Sequence, residues 1–241
     1  MEHDARDRRV FLKQVATGGA AAVAAAVPQA ANAQAAAPAA NSTPAAAAAP
    51  AGYTYFTPHE AAFIEAVVDH MIPADALSPK GTDVGVHLYM DRALSGGWGK
   101  GERLYRQGPW KQGTPNQGYQ LPLTPAELYR AGIAAVDAEC ARQYGKRFEK
   151  LNAEQREEVL KAMQQNKLTL AGGLPARTFF DVLYQNVMEG MFADPIYGGN
   201  KDMAGWKLVG FNGVVAVHQQ NVVKYLGKKF PIKPLGIADL S

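Results

Sequence analysis

Three helix-start signals constrain the fold of this chain more than any other feature. Residues 57–60 read Thr-Pro-His-Glu, residues 124–127 read Thr-Pro-Ala-Glu, and residues 152–155 read Asn-Ala-Glu-Gln. At this spacing the first side chain caps a helix by accepting a backbone hydrogen bond, and the Glu or Gln three residues later accepts one in return. Proline is favoured at the first helical position. Three such starts in a short domain predict a helical protein.

Apolar side chains follow these signals at helical spacing, as Phe63 and Val67 do after the first start. Period-two alternation bounded by hairpin turns is absent, so we expect little sheet. The predicted fold class is all-α: a single irregular helical domain of about six helices with long loops. The predicted helices cover residues 58–72, 83–94, 125–145, 152–165, 175–193 and 213–226.

The first 33 residues have the pattern of an export signal. A twin arginine precedes a phenylalanine, a leucine and a lysine, and a run of mostly Ala and Gly follows that is too short and too weakly apolar to span a bilayer. A small-x-small pattern then suits a signal peptidase. The signal residues are Arg8, Arg9, Phe11, Leu12, Lys13, Ala31 and Ala33. We therefore predict a Tat signal peptide over residues 1–33 and a periplasmic protein that is exported already folded.

The remainder divides into a linker and one domain. Residues 34–52 are almost entirely Ala and Pro, a composition typical of a flexible tether. Residues 53–241 are long enough for one domain with a sizeable core, and they end in an extended, Pro-punctuated arm. The formal net charge of +3 is too small to indicate nucleic acid or an anionic membrane surface as a partner.

Cysteine usage limits the chemistry further. Cys140 is the only cysteine, so neither an intrachain disulfide nor a thiolate metal site can form. In an exported protein, a single cysteine is either a buried thiol or a bridge to another chain. The sequence leaves both interpretations open.

Catalytic signatures are missing or incomplete. Residues 59–63 begin like a zinc-protease helix, but Phe63 stands where the second His is required. Residues 96–101 have the glycines of a phosphate loop but lack a Ser or Thr after Lys100. Isolated histidines on helices are more often structural than haem ligands; they are His70, His87 and His218. We therefore expect no catalytic residue, cofactor or metal in this chain.

The segment from Phe192 to Trp206 has the most unusual concentration of Pro, Gly, Asn and Asp residues. Pro195 ends the preceding helix at Asp194, and the Gly-Gly-Asn run at 198–200 allows a tight reversal. Oxygens of Asp194, Asn200 and Asp202 are too few for a calcium site, which needs six or more ligands. A structural turn is the preferred interpretation.

Two further long stretches lack a helical pattern of apolar residues: one carries several aromatic side chains, and the other is apolar and interrupted by Pro. They are residues 95–122 and the C-terminal arm from Phe230, and each packs either on its own domain or on another protein. Large aromatic side chains dominate many protein interfaces. The candidate partner-binding residues are Trp98, Tyr105, Trp110, Tyr119, Cys140, Asp194, Pro195, Tyr197, Gly198, Gly199, Asn200, Trp206 and Phe230.

Several of these stretches together resemble the gluconate 2-dehydrogenase subunit 3 family. The matching pieces are Phe-Thr-Pro at 56–58, Met-Ile-Pro-Ala-Asp at 71–75, Ser-Pro-Lys-Gly at 78–81, Gly-Val at 85–86, Asp-Pro-Ile-Tyr-Gly-Gly-Asn at 194–200 and Gly-Trp at 205–206. The resemblance spans about residues 53–226, and the 194–200 block is its most specific part. A twin-arginine leader and an Ala/Pro tether are also typical of the family.

The resemblance implies a non-catalytic small subunit of a membrane-associated dehydrogenase complex. In such complexes a GMC-type flavoprotein with FAD oxidises a sugar or sugar acid, and a multihaem cytochrome c subunit passes electrons to quinone. The small subunit supports folding and Tat export of the flavoprotein, so FAD and haem c are expected in partner subunits and membrane contact only through them. Two alternatives stay open: a stand-alone periplasmic enzyme with a metal or haem site, and an independent binding module.

Overall fold

The computed structural model of the chain describes residues 52–111, 113–114, 117–214, 219–231 and 233–240. The predicted signal peptide, with Arg8 and Arg9, and nearly all of the predicted linker lie outside these residues. The described part contains seven α-helices and no strand, which confirms the all-α prediction. The helices are α1 Pro58–Met71, α2 Val86–Ser95, α3 Pro125–Tyr144, α4 Ala153–Gln164, α5 Ala176–Phe192, α6 Ala204–Val209 and α7 Gln219–Lys224.

All three helix-start signals form capping boxes. The Thr124 hydroxyl accepts a hydrogen bond from Glu127 N at 3.2 Å, and Thr124 N donates to the Glu127 carboxylate at 2.7 Å. The same reciprocal bonds join Thr57 to Glu60 and Asn152 to Gln155. Each box satisfies backbone N–H groups that a helix start leaves unpaired. The starts of α1, α3 and α4 are therefore confirmed at the predicted residues.

The core forms where α5 packs against α2, α3 and α4. Tyr129 of α3 and Phe179 of α5 meet edge to face, with ring centroids 5.6 Å apart, and both are fully buried. Gly132 permits this approach, because a Cβ there would lie 2.6 Å from the Phe179 ring. Burying each large apolar side chain contributes about 1.5–3 kcal/mol, so these contacts hold α3 and α5 together.

The segment that leads into α1 is fixed by one buried carboxylate. Asp91 of α2 accepts hydrogen bonds from the backbone N–H groups of Thr54, Tyr55 and Phe56 at 2.7–2.9 Å, and from the Thr54 hydroxyl. Burial opposes ionisation of Asp91, but these hydrogen bonds outweigh it and hold the pKa of this carboxyl below its usual value. Residues 54–56 are thereby tied to the side of α2.

The predicted helix at 213–226 is wrong at its N-terminal end. Gly213 has a positive φ of 77° and forms a parallel bridge with Leu235, and Val214 N donates to Leu235 O at 2.8 Å. The backbone here is satisfied by the returning C-terminal arm instead of by a helical turn. Among the described residues, helix is present only over Gln219–Lys224, while residues 215–218 lie outside the description. The sequence pattern also missed the short α6.

Candidate functional site

The segment 194–206 is a tightly bonded turn. The Asn200 side chain is fully buried; its Nδ2 donates to Ala193 O at 2.8 Å and its Oδ1 accepts from Gly205 N at 2.8 Å. Trp206 is also buried and donates from Nε1 to Phe192 O at 2.7 Å. Both side chains are therefore bonded within the turn, and their predicted role in partner binding stays a prediction.

Two glycines in the same turn allow it to pack closely on α2 and α5. A Cβ on Gly199 would lie 2.1 Å from Gly190 O of α5, and a Cβ on Gly198 would lie 2.4 Å from Nη1 of Arg92. Gly198 also has a positive φ of 104°. Gly198 and Gly199 therefore allow close packing of the turn on α2 and α5.

Asp194 has an internal role as well. Its Oδ1 accepts from Ile196 N at 3.0 Å and its Oδ2 accepts from Ile237 N at 2.8 Å. Since Asn200 likewise bonds the backbone of Ala193 and Gly205, the hydrogen bonds of this segment support its interpretation as a structural turn.

The exposed part of the turn borders a cleft. Ile196 and Tyr197 are about half exposed, and Tyr197 lies at a cleft of about 540 Å³ between α2 and α5. The cleft is lined by Tyr89, Arg92, Ala93, Glu189, Phe192, Ala193, Asp194 and Tyr197. Aromatic and charged groups thus stand side by side at its wall, as they do in many protein-binding surfaces.

Hydrogen bonds fix the floor of this cleft. The Glu189 carboxylate accepts from Tyr89 Oη at 3.3 Å and from Asn186 Nδ2 at 2.9 Å, and Asn186 in turn accepts from Tyr129 Oη at 2.7 Å. Burial and the neighbouring Glu189 carboxylate raise the pKa of Tyr89 to about 12. Tyr89 therefore stays a neutral hydrogen-bond donor, and the cleft wall is preorganised.

The aromatic side chains of the 95–122 loop divide into two groups. Tyr119 is half-buried against the core and donates to Leu123 O at 3.1 Å, so it anchors the loop to its own domain. Trp98, Tyr105 and Trp110 are exposed. Tyr105 and Trp110 also line a second, smaller cleft of about 260 Å³ with Leu121. These three exposed aromatics remain available for a partner.

Among the described residues, most of the exposed large apolar side chains lie from α5 onwards. Val223 of α7 is 79% exposed and Leu226, just after it, is 80% exposed. Phe230 is half-buried against Tyr225, with ring centroids 5.0 Å apart. The other exposed large apolar side chains after α5 begins are Tyr184, Met188, Ile196, Tyr197, Leu208, Val209, Phe211, Val222, Ile237 and Leu240. We call this set, with Val223 and Leu226, the C-terminal apolar surface.

Cys140 is a buried thiol. Its side chain is fully buried in α3, and burial raises the pKa of the thiol to about 12. A disulfide to another chain needs an accessible thiolate. The buried-thiol interpretation is confirmed, and Cys140 is not positioned to bridge to a partner.

The isolated histidines of the described part have protein contacts of their own. His70 Nε2 lies 2.8 Å from the Glu157 carboxylate, and the His87 ring packs edge-on against Tyr53 with centroids 5.9 Å apart. Burial lowers the pKa of His87. His218 lies outside the described residues. His70 is thus paired with a carboxylate, while Nδ1 of His87 is buried without a hydrogen-bond partner.

One cluster of metal-ligating side chains is not visible in the sequence. His59, Asp137 and Glu149 each offer a ligand atom, and these atoms all lie within 4.8 Å of one another. The motif that includes His59 covers only its neighbours 60–63 on the same helix, whereas its companions come from α3 and from the short 3-10 turn Phe148–Lys150. No local spacing indicates a cluster built from three separate elements.

Within the described ranges, no helix combines the length and the apolar character needed to cross a bilayer. The described residues thus form an all-α domain with many exposed large apolar side chains from α5 onwards.

The chain belongs to the gluconate 2-dehydrogenase subunit 3 family. The family model matches residues 58–213, which is more than half of the chain and includes the 194–206 turn. The resemblance found in the sequence is thereby confirmed. Neither the curated proteins nor the solved structures gave a significant match.

Proposed function

We propose that this chain is the non-catalytic small subunit of a periplasmic, membrane-associated dehydrogenase complex of the gluconate 2-dehydrogenase type. It binds the GMC-type flavoprotein subunit, supports its folding and accompanies it through the Tat pathway. FAD belongs to that flavoprotein and haem c to a multihaem cytochrome c subunit. Family membership supports the assignment to a dehydrogenase complex.

The C-terminal apolar surface is the observation that carries the proposal. Exposed apolar side chains that lie close together commonly mark interfaces, and Val222, Val223 and Leu226 lie within five residues of one another. Here valine and leucine side chains around α7 stand nearly as exposed as in an unfolded chain. A stable subunit partner would cover these side chains, and their burial would contribute favourably to the free energy of binding.

The exposed aromatic side chains extend the proposed contact region. Tyr197 at the cleft between α2 and α5, together with Trp98, Tyr105 and Trp110 of the 95–122 loop, presents large rings with few rotatable bonds. Such side chains bury much area at low entropic cost and are typical binding hot spots. The internal hydrogen bonds of the turn 194–206 fix the backbone that carries Tyr197.

The leader completes the proposal. The Tat pathway accepts folded cargo, and a flavoprotein must bind FAD before export. A signal on this chain, at Arg8 and Arg9, then serves the assembled pair. The test is to express the flavoprotein with this chain, without it, and with the double variant Arg8→Lys, Arg9→Lys.

We expect FAD-loaded flavoprotein in the periplasm only when the unaltered chain is present. With the double variant, the two proteins should stay together in the cytoplasm, which separates binding from export. Equal periplasmic yields of flavoprotein with and without the chain would contradict the proposed function.

A further inference from the structure

We propose that His59, Asp137 and Glu149 form a binding site for one divalent first-row metal ion such as Zn²⁺, which clamps three elements of the domain together. The site goes beyond the proposed function and does not depend on it. It rests on the placement of the three side chains and on a buried Glu149 carboxylate oxygen that has no hydrogen-bond partner.

The three side chains converge from separate elements. His59 lies in the first turn of α1, Asp137 lies in the middle of α3, and Glu149 lies in the 3-10 turn Phe148–Lys150. Nε2 of His59 is 2.8 Å from Oδ2 of Asp137, and all three ligand atoms lie within 4.8 Å. A tetrahedral zinc ion holds its ligand atoms about 3.4 Å apart, so small side-chain rotations bring the three to that spacing.

The carboxylates are buried without full compensation. The Asp137 and Glu149 side chains are only 8% and 7% exposed. Oδ1 of Asp137 accepts from Phe148 N at 3.0 Å and its Oδ2 lies 2.8 Å from His59 Nε2, whereas Oε2 of Glu149 is buried and has no hydrogen-bond partner. Burying a carboxylate oxygen without a partner costs several kcal/mol. A cation bound between Glu149 and Asp137 would remove that cost.

Electrostatics at the cluster point the same way. The Asp137 and Glu149 carboxylates meet in this buried cluster, where their ligand atoms lie no more than 4.8 Å apart. Two buried carboxylates that repel each other are stabilised together by one divalent ion. One imidazole nitrogen and two carboxylate oxygens are a ligand set that Zn²⁺ accepts, with water in the fourth position.

Arg147 is the competing cation at the edge of the site. Its Nε lies 3.2 Å from Glu149 Oε1, and its Nη1 lies 3.4 Å from Nδ1 of His59. Metal binding at Nε2 places the imidazole proton on Nδ1, so the Arg147 guanidinium must move away. The Arg147 side chain is 54% exposed and can turn into solvent. Removing its charge should therefore strengthen metal binding.

The experiment is titration of the metal-stripped, tag-free chain with Zn²⁺, followed by calorimetry and thermal unfolding, and with Co²⁺, followed by its visible absorption. We expect one ion per chain, a higher Tm with Zn²⁺, and the strong visible bands of tetrahedral cobalt. His59→Gln and Glu149→Gln should each weaken binding about tenfold or more, because each removes a ligand. Arg147→Gln should tighten it.

His70→Gln is the matched control, because His70 contacts Glu157 at the same 2.8 Å distance but, among the described residues, is not part of a three-ligand cluster. Its affinity for Zn²⁺ should equal that of the unaltered chain. Circular dichroism of each variant establishes that it is folded. Absence of stoichiometric binding at micromolar Zn²⁺ would overturn the proposal and leave the cluster an ion-pair network only. Binding that survives in both His59→Gln and Glu149→Gln would overturn it equally.

Discussion

The Asp194 carboxylate accepts a hydrogen bond from the backbone N–H of Ile237 at 2.8 Å, which joins the turn after α5 to the C-terminal arm 43 residues later. The same carboxylate caps the 3-10 turn Pro195–Tyr197 through Ile196 N. One side chain therefore positions both Tyr197 and the end of the chain. The arm packs on its own domain here, which resolves an alternative that the sequence left open.

Replacing Asp194 should release the arm. Asp194→Ala removes an acceptor from two backbone N–H groups, and we expect a loss of about 1–2 kcal/mol in the free energy of unfolding. Hydrogen exchange at the Ile237 amide should accelerate. Asp194→Asn keeps one carbonyl acceptor and should show a smaller effect; equal exchange rates in all three proteins would contradict this role.

Asp91 should make stability depend on pH in the acid range. The pKa of Asp91 is lower in the folded state than the unfolded value of about 3.9, so its contribution is complete above that pH. The contribution is lost as the pH falls through the folded pKa. Urea unfolding of Asp91→Asn at neutral pH should show a loss of about 2–4 kcal/mol.

The stability difference between Asp91→Asn and the unaltered protein should itself depend on pH. Below the folded pKa of Asp91 the carboxyl is protonated in both states, so the difference between the two proteins should shrink as the pH falls below about 3.9. A difference that stays constant or grows towards acid pH would contradict the account of Asp91.

The Cys140 thiol should be unreactive in the folded protein. It is fully buried, and burial raises its pKa to about 12, so the thiolate is scarce at neutral pH. A thiol reagent should label one group per chain only after denaturation. Rapid stoichiometric labelling of the native protein would show that Cys140 is accessible and would reopen its role as a bridge to another chain.

Gly199 should tolerate no side chain. In Gly199→Ala the new Cβ would lie 2.1 Å from Gly190 O, and the turn must shift away from α5. We expect a loss of about 2–3 kcal/mol in the free energy of unfolding. Gly145→Ala is the control, because Gly145 has a φ of 67° but a Cβ there would meet nothing within 4 Å, so strain alone should cost about 1 kcal/mol. An equal or smaller effect at Gly199 would refute the steric explanation.

Local signals in the sequence predicted the helix starts correctly, whereas contacts between residues far apart in the chain could not be predicted from it. The starts of α1, α3 and α4 depend on residues three apart, so the capping boxes at Thr57, Thr124 and Asn152 could be read directly. The helix predicted to begin at 213 failed because Gly213 pairs with Leu235, which lies 22 residues later. Local pattern cannot anticipate such a partner.

The candidate site was predicted in part for the same reason. An unusual turn at 194–206 was recognisable from its Pro, Gly and Asn residues, but the sequence could not show that Asn200 and Trp206 point inward while Tyr197 points outward. Burial depends on which elements the turn meets. The cluster of His59 with Asp137 and Glu149 was missed altogether, because 78 residues separate the first two.

The most direct test of the central claim is a binding measurement between the purified chain and the flavoprotein subunit. We predict a stable complex with FAD-loaded flavoprotein in size-exclusion chromatography with light scattering. The double variant Val223→Ser, Leu226→Ser should weaken it about tenfold or more, a change of about 1.4 kcal/mol. Leu77→Ser, at a leucine that is 77% exposed outside the C-terminal apolar surface, should bind unchanged. Separate elution of the unaltered chain and the flavoprotein at micromolar concentrations would contradict the account.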